Sequence, residues 1–236
     1  MIKIEDVHVV GLEPAIRGMR NPLASHAKSD STACIWDCVG GCEGCDRMPD
    51  GVDRYHTDEP PCDQDSTGFV LGPNDLGLAK KLAKNGPVHA KYRRMIVVYA
   101  DITAPLYWWK EASTYKVGTV ANSYSTMHKI HSRDLTLDDF SYEHLTKKAM
   151  MNLLGTIDLI NEERKIYVET KDKKAWYNMI QMLPTNYNQK RTWMANYEVL
   201  AGIYPNRKDH KLEEWHQVCD WIKTLPYSEL ITGEEE

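Results

Sequence analysis

Phenylalanine is almost missing from this chain: 2 residues in 236, against 13 tyrosines and 7 tryptophans. A purely oily aromatic core is thereby excluded, and rings with polar handles suit half-buried clefts and subunit interfaces instead. Missing too is any apolar run near the ~20 residues that a membrane span requires. The opening MIKIEDVHVVGLEP has no basic start followed by an apolar stretch, so the chain reads as cytoplasmic. Positive charge is not in excess, the net being −5. That excludes a general pull towards nucleic acid, and an anionic ligand must be held by a local basic pocket. What is present, 42% hydrophobic and 27% charged residues, excludes wholesale disorder and fibrous repeats. The length is enough to bury a full core without staples.

Cysteine is sparse but clustered. Five of the six, Cys34, Cys38, Cys42, Cys45 and Cys62, fall within 29–68, a Gly-, Asp- and Pro-rich stretch with little apolar periodicity, while Cys219 stands alone. In a reducing compartment thiols this close suit metal ligation better than disulfides, because a cation replaces the core that such a loop lacks. The spacing Cys38-x3-Cys42-x2-Cys45 also matches the three-thiolate pattern of radical S-adenosylmethionine enzymes. The long helices that follow argue against that class, whose fold repeats strand–helix units. Structural zinc, an iron–sulfur cluster and free thiols stay open as readings. For zinc the ligands are Cys38, Cys42 and Cys45 with Cys34, Cys62 or His56.

Alternation in IKIEDVHVV predicts a first strand, closed by Gly11. Pro73, Asn74 and Asp75 open a helix that Gly86 ends. The run MIVVYADIT reads as a second strand buried on both faces, stopped by Pro105. From Leu145, apolar residues at three- and four-residue intervals through Ile160 mark a long amphipathic helix. Further helical segments are expected over about 172–182, 187–204 and 210–223. Two or three strands ahead of a mostly helical half give one α+β domain over 1–236, with 29–68 as an inserted Cys-rich loop.

Between second strand and long helix, residues 104–128 hold the densest run of aromatic, hydroxyl and amide side chains in the chain. Such a run suits recognition of a planar heterocycle with its sugar or phosphate; it suits a Tyr/Trp packing segment equally. Basic residues gather in Lys91–Arg94, in Gln189–Arg191 and in Arg207–His210. Each can hold a phosphate through an Arg fork, or be a solvated helix face.

The order of these segments resembles the flavin-dependent thymidylate synthase family over roughly residues 70–225. That family's signature is Arg-His-Arg, seven or eight residues, then Ser; here Thr114-Tyr115-Lys116, eight residues, then Ser125 occupies the place. Asn122, Ser123 and Ser125 resemble its Asn-Glu-x-Ser. Leu183-Pro184 with Tyr187 resembles a Leu-Pro and Tyr-Thr segment. Arg207 falls eleven residues after Asn196, the separation of the family's substrate-binding Arg, and His210 lies near a flavin-holding His. Both arginines and the histidine of the signature are replaced, and Met127 and Ile180 stand where two further arginines are expected. Arg17 and Arg20 are on hand as replacement cations.

The resemblance implies a methyltransferase of nucleotide biosynthesis that carries a folate-derived one-carbon unit to C5 of a pyrimidine deoxynucleotide, with FAD as cofactor and NADPH as reductant. It assigns Arg207 to stabilising charge on the ring, Asn122, Ser123, Ser125, Lys116 and Arg191 to the substrate, and Arg93, Tyr115, Asn196 and His210 to flavin. A homo-oligomer, a tetramer, is expected, and Trp108, Trp109 and Tyr115 as exposed rings are expected to mark its interface. The alternative is a nucleotide- or partner-binding protein on the same fold that has lost flavin.

Overall fold

Gly11 is where the backbone first dictates the residue. It sits at φ 94° directly after strand β1 (Lys3–Val10), and a Cβ there would overlap the Met95 carbonyl oxygen, so only glycine fits. Helix α1 (Leu12–Met19) follows at once. Its Leu12, Ala15, Ile16 and Met19 are all buried, a spacing of three and four residues that puts them on one face. The computed structural model describes residues 2–33 and 69–234. Cys34, Cys38, Cys42, Cys45, His56 and Cys62, the expected metal ligands, lie outside the described residues.

A two-stranded antiparallel ladder joins β2 (Thr32–Ala33) to β3 (Phe69–Val70), with Ala33 opposite Phe69. Helix α2 (Pro73–Lys84) comes next, then a 3-10 turn at Lys91–Arg94. Strand β4 (Val97–Pro105) leads into α3 (Leu106–Ala112), β5 (Val120–Ser123) and the single turn α4 (Thr126–Lys129). Long helix α5 (Lys147–Thr170) and α6 (Lys173–Met182) precede β6 (Asn188–Asn196), α7 (Tyr197–Arg207), α8 (Glu213–Lys223) and α9 (Glu229–Thr232). The class is α+β, as the sequence predicts. No helix among the described residues is long and apolar enough to cross a membrane.

The chain traces two compact units. Unit 1 takes in the described parts of Met1–Val7, Tyr99–Met194 and Leu212–Gln217; unit 2 those of His8–Val98, Ala195–Lys211 and Val218–Glu236. Unit 1 carries most of a four-stranded sheet in the order β1-β4-β6-β5, where β5 and β6 run antiparallel. Helices α5 and α6 pack together in it. Leu153, Ile157, Ile160 and Met179 join Ile130, Leu135 and Phe140 in one buried cluster. In unit 2, α7 packs against α9 and the Lys91–Arg94 turn, and α2 against α9.

Several expectations need correction. Residues 188–196 are strand, not helix: Trp193 and Ala195 are buried while Thr192 is exposed and Met194 and Asn196 are half-buried, which is the period of two that sheet pairing imposes. Strand β4 is buried on one face only, through Val98, Ala100, Ile102 and Ala104, whereas Tyr99 is exposed and Asp101 and Thr103 are half-buried. Trp108 and Trp109 are 1% and 2% exposed, so they serve the interior of unit 1 and mark no interface. Arg20 is no replacement cation, because it is 4% exposed and its Nε donates to Asp75 at 2.5 Å.

Candidate functional site

Strand alternation sorts the expected substrate residues of unit 1. On the β5–β6 ladder, Ala121 faces Trp193 and Ser123 faces Arg191, while Val120 faces Met194 and Asn122 faces Thr192. Cross-strand partners share a face and successive residues do not, so Asn122 and Arg191 belong to opposite faces of the sheet. On the Arg191 face lies a cavity of about 220 Å3, lined by Trp109, Ser113, Tyr115, Lys116, Thr119, Ala121, Arg191 and Trp193. On the other lies a cavity of about 320 Å3, lined by Asp101, Asn122, Ser123, Tyr124, Lys190 and Thr192. Tyr115, Lys116 and Arg191 are thus brought together, and Asn122 is separated from them.

Arg191 is held from two sides. Its guanidinium lies 4.3 Å from the centroid of the Trp109 ring, and its Nε donates to Gln189 Oε1 at 3.0 Å. The Trp109 ring is itself fixed, since its Nε1 donates to the Gln189 carbonyl at 2.8 Å and its edge meets Trp108 at 4.8 Å between centroids. Trp108 in turn stacks on Trp215, which Tyr115 also approaches. The guanidinium plane therefore has little freedom, and the Nη groups border the cavity; Nη1 is 3.4 Å from Ser113 Oγ. Among the described residues no carboxylate pairs with Arg191. Burial alone acts on its pKa and pushes it down, far too little to matter for a guanidinium, which stays protonated.

The opposite cavity has a different character. There Lys190 Nζ lies 2.9 Å from Asp101 and 4.0 Å from Glu5, and Thr192 donates to Asp101 at 2.6 Å. Its cation is neutralised within the protein. A rigid, uncompensated guanidinium beside a lysine, hydroxyls and aromatic walls is suited to an oxyanion that carries a planar group; the Asp101–Lys190 cavity is not.

The remaining expected residues have evident local duties. Ser125 caps α4, accepting from the His128 N–H at 3.3 Å. Asn196 caps α7 through its carboxamide oxygen, which accepts from Val199 N–H at 3.0 Å. Arg207 is the last residue of α7 rather than a loop residue, the end at which a cation complements the helix dipole. His210 follows, its N–H donating to the Arg207 carbonyl at 3.1 Å. Arg93 in unit 2 lines a further cavity with Lys80 and Lys84. Trp109, Ser113, Thr119 and Trp193 were not singled out by spacing. The stack of Trp109 on Arg191 joins positions 82 apart in sequence, which no local pattern signals.

Among groups of three or more His, Cys, Asp or Glu, none in the described residues is placed to hold a metal ion. No protein-family model matches the chain, and no curated protein matches it. Solved structures do. The flavin-dependent thymidylate synthase of Helicobacter pylori, complexed with FAD and dUMP, is similar at a TM-score of 0.60 and 15% identity, covering 97% of this chain and 99% of that one. A UMP/dUMP methylase, PolB, from Streptomyces cacaoi, bound with 5-Br dUMP, is similar at a TM-score of 0.57 and 11% identity, over 99% of this chain and 94% of that one. At such identities the likeness establishes the fold: this chain has the fold of the flavin-dependent thymidylate synthases.

Proposed function

We propose that this chain is a nucleotide methyltransferase acting at C5 of a pyrimidine deoxynucleotide, with FAD as cofactor, a folate one-carbon donor and NADPH as reductant. The observation that carries the reading is Arg191, a fixed and uncompensated cation in a cavity of unit 1, on a fold whose neighbours are complexed with uracil nucleotides. Arg191 and Lys116 hold the nucleotide phosphate, with Ser113 beside them; Arg191 takes over a charge that the Thr114-Tyr115 pair no longer carries. Ser125 is assigned to the substrate by resemblance alone; Asn122 and Ser123 line the other cavity and take no part at Arg191. By resemblance alone, Tyr115 in unit 1 and, separately, Asn196 and His210 in unit 2 are assigned to flavin. Hydroxyl, amide and imidazole groups suit its phosphates and ring edge; when bound, flavin supplies the hydride chemistry.

A homotetramer is proposed by resemblance, with exposed Met151, Leu154 and Leu159 along α5 on hand for a subunit contact. A structural zinc on Cys38, Cys42 and Cys45 with one of Cys34, Cys62 or His56 rests on their spacing and is checked by elemental analysis. A second reading, a nucleotide-binding protein without flavin, is favoured by one observation. Thr114 brings no charge to the signature position, and its hydroxyl donates to the Glu111 carbonyl at 2.7 Å within its own turn.

The test is an absorbance spectrum between 350 and 500 nm together with calorimetric titration of dUMP and UMP. A flavin band with nucleotide binding supports the enzyme; nucleotide binding without the band supports the second reading. Arg191→Gln is expected to weaken nucleotide binding by about 1.5–3 kcal/mol, the usual worth of a hydrogen bond to a charged group. No binding of either nucleotide by the wild type refutes both.

A further inference from the structure

Unit 2 contains two Arg–carboxylate pairs that bury most of their surface, and they are finished differently. In the first, Asp75 is filled: Arg20 Nε reaches one oxygen, and the other accepts from the hydroxyls of Ser29 and Ser31, each at 2.6 Å, and from the N–H groups of Asp30 and Ser31. In the second, Arg93 and Glu198 stand 3.7 Å apart with side chains 12% and 23% exposed. Arg93 Nε and Glu198 Oε2 are both buried without a hydrogen-bond partner. Buried polar groups are ordinarily satisfied, so this pair is incomplete where the first is complete.

Arg93 also lines a cavity of about 270 Å3, together with Lys80 and Lys84 of α2, Ala201 of α7, and α9 with the residues that follow it. Lys80 and Lys84 are one helical turn apart and so share a face; among the described residues neither has an ion pair. Two carboxylates, Glu229 and Glu234, line the cavity as well. Glu234 accepts from the Tyr204 hydroxyl at 3.0 Å and lies 3.9 Å from Lys208. With Glu198 answering Arg93 and Glu234 answering Lys208, two ammonium groups face the single carboxylate of Glu229. Among the described residues the surplus is one positive charge.

We propose that this cavity is a second binding site, separate from the Arg191 cavity, for a small ligand bearing one oxyanion group, a carboxylate or a phosphate of low charge. Its oxygens take the Arg93 guanidinium where it lines the cavity, and the two lysines. Ala201 and Ile231 give the organic part an apolar wall, and the surplus of a single charge disfavours polyphosphates. An occupant would touch α2 and α9 at once and hold them together.

The experiment is calorimetric titration of the full chain with sodium phosphate and, separately, with sodium acetate, at ionic strength held constant with sodium chloride. One equivalent of at least one anion is expected to bind with Kd below about 1 mM. Lys80→Gln/Lys84→Gln, whose ligand-free melting temperature should match the wild type, is expected to weaken it at least about fivefold, roughly 1 kcal/mol by the usual conversion. Arg93→Gln is the less useful variant, because it leaves Glu198 buried and unpaired. Arg191→Gln must leave this binding unchanged. If it removes the binding, the ion sits at the nucleotide site and the proposal fails. The proposal fails equally if neither anion binds at tens of millimolar, or if the lysine variant binds as the wild type does. The failures at the lysines and in anion binding leave nucleotide binding at Arg191 untouched.

Discussion

Replacing Asp75 by alanine should be among the most damaging single changes in unit 2. The side chain is 0% exposed and its partner Arg20 is 4% exposed. Removing the carboxylate strands the guanidinium, and breaking a buried pair in this way costs about 3–5 kcal/mol. It also removes the acceptor for the Asp30 and Ser31 N–H groups and for the Ser29 and Ser31 hydroxyls. An orphaned buried donor costs about 1–3 kcal/mol, but water can enter beside the hydroxyls and the losses share one cavity, so they do not add. A net loss of about 4 kcal/mol follows, which at roughly 2–4 °C per kcal/mol for a chain of this size lowers the melting temperature by about 8–16 °C. Urea denaturation followed by circular dichroism measures it. The double variant Arg20→Met/Asp75→Leu removes both charges, and since buried pairs are often replaced by apolar groups at little cost, it should be more stable than Asp75→Ala alone, though the main-chain donors keep it below wild type. Asp75→Ala within about 1 kcal/mol of wild type, or a double variant worse than the single, would refute the view that this pair closes unit 2.

Two further predictions concern titration. Burial by itself raises the Asp75 carboxyl, but the hydrogen bonds from Ser29, Ser31 and Arg20 and the charge of Arg20 outweigh it, so its pKa lies below the ordinary 3.8. A lowered carboxyl stabilises fully above its unfolded pKa and loses that contribution as pH falls through the folded one. The stability gap between wild type and Asp75→Asn should therefore be flat from pH 7 to about pH 5 and narrow below about pH 4, as urea midpoints at each pH will show. Burial also pushes the Cys219 thiol up to about 11. Because the thiolate is the nucleophile, iodoacetamide at pH 8 should label Cys219 in urea far faster than in the native protein, read by peptide mass spectrometry; equal rates would contradict the buried placement.

Much of the fold was legible where periodicity and punctuation agree. Pro73 and the Gly86 region bracket α2, and Pro105 closes β4. Leu153, Ile157 and Ile160 repeat along α5 as a buried stripe, although Leu154, counted in that stripe, is exposed. Asn196 is the true start of α7, its carboxamide oxygen accepting the Val199 N–H, whereas the apolar pattern carries the expected helix back to about 187. Strand β6 was illegible because its residues are mostly polar on both faces, Lys190 and Thr192 meeting Asp101 and Arg191 meeting Trp109, so hydrophobic alternation is too faint to outvote the helical pattern that follows. Helix α1 escaped notice for a different reason: at two turns it is too short to establish a period. Within the candidate site, residue types were readable and their sorting was not. Asn122 and Arg191 are parted by the register of β5 against β6, a quantity that depends on pairing and not on either segment alone.

The β2–β3 ladder ties the two flanks of 34–68 to each other. Ala33 and Phe69 are cross-strand neighbours, so both ends of the intervening segment are delivered to one place, and the Asp75 network and the Asp30 carboxylate, which accepts the Asn74 and Asp75 N–H groups at the start of α2, lock that doorway from inside. Ser29, Asp30 and Ser31 are pinned to the first turn of α2 in this way, so a change at any of them is felt at the ladder and at the helix start together.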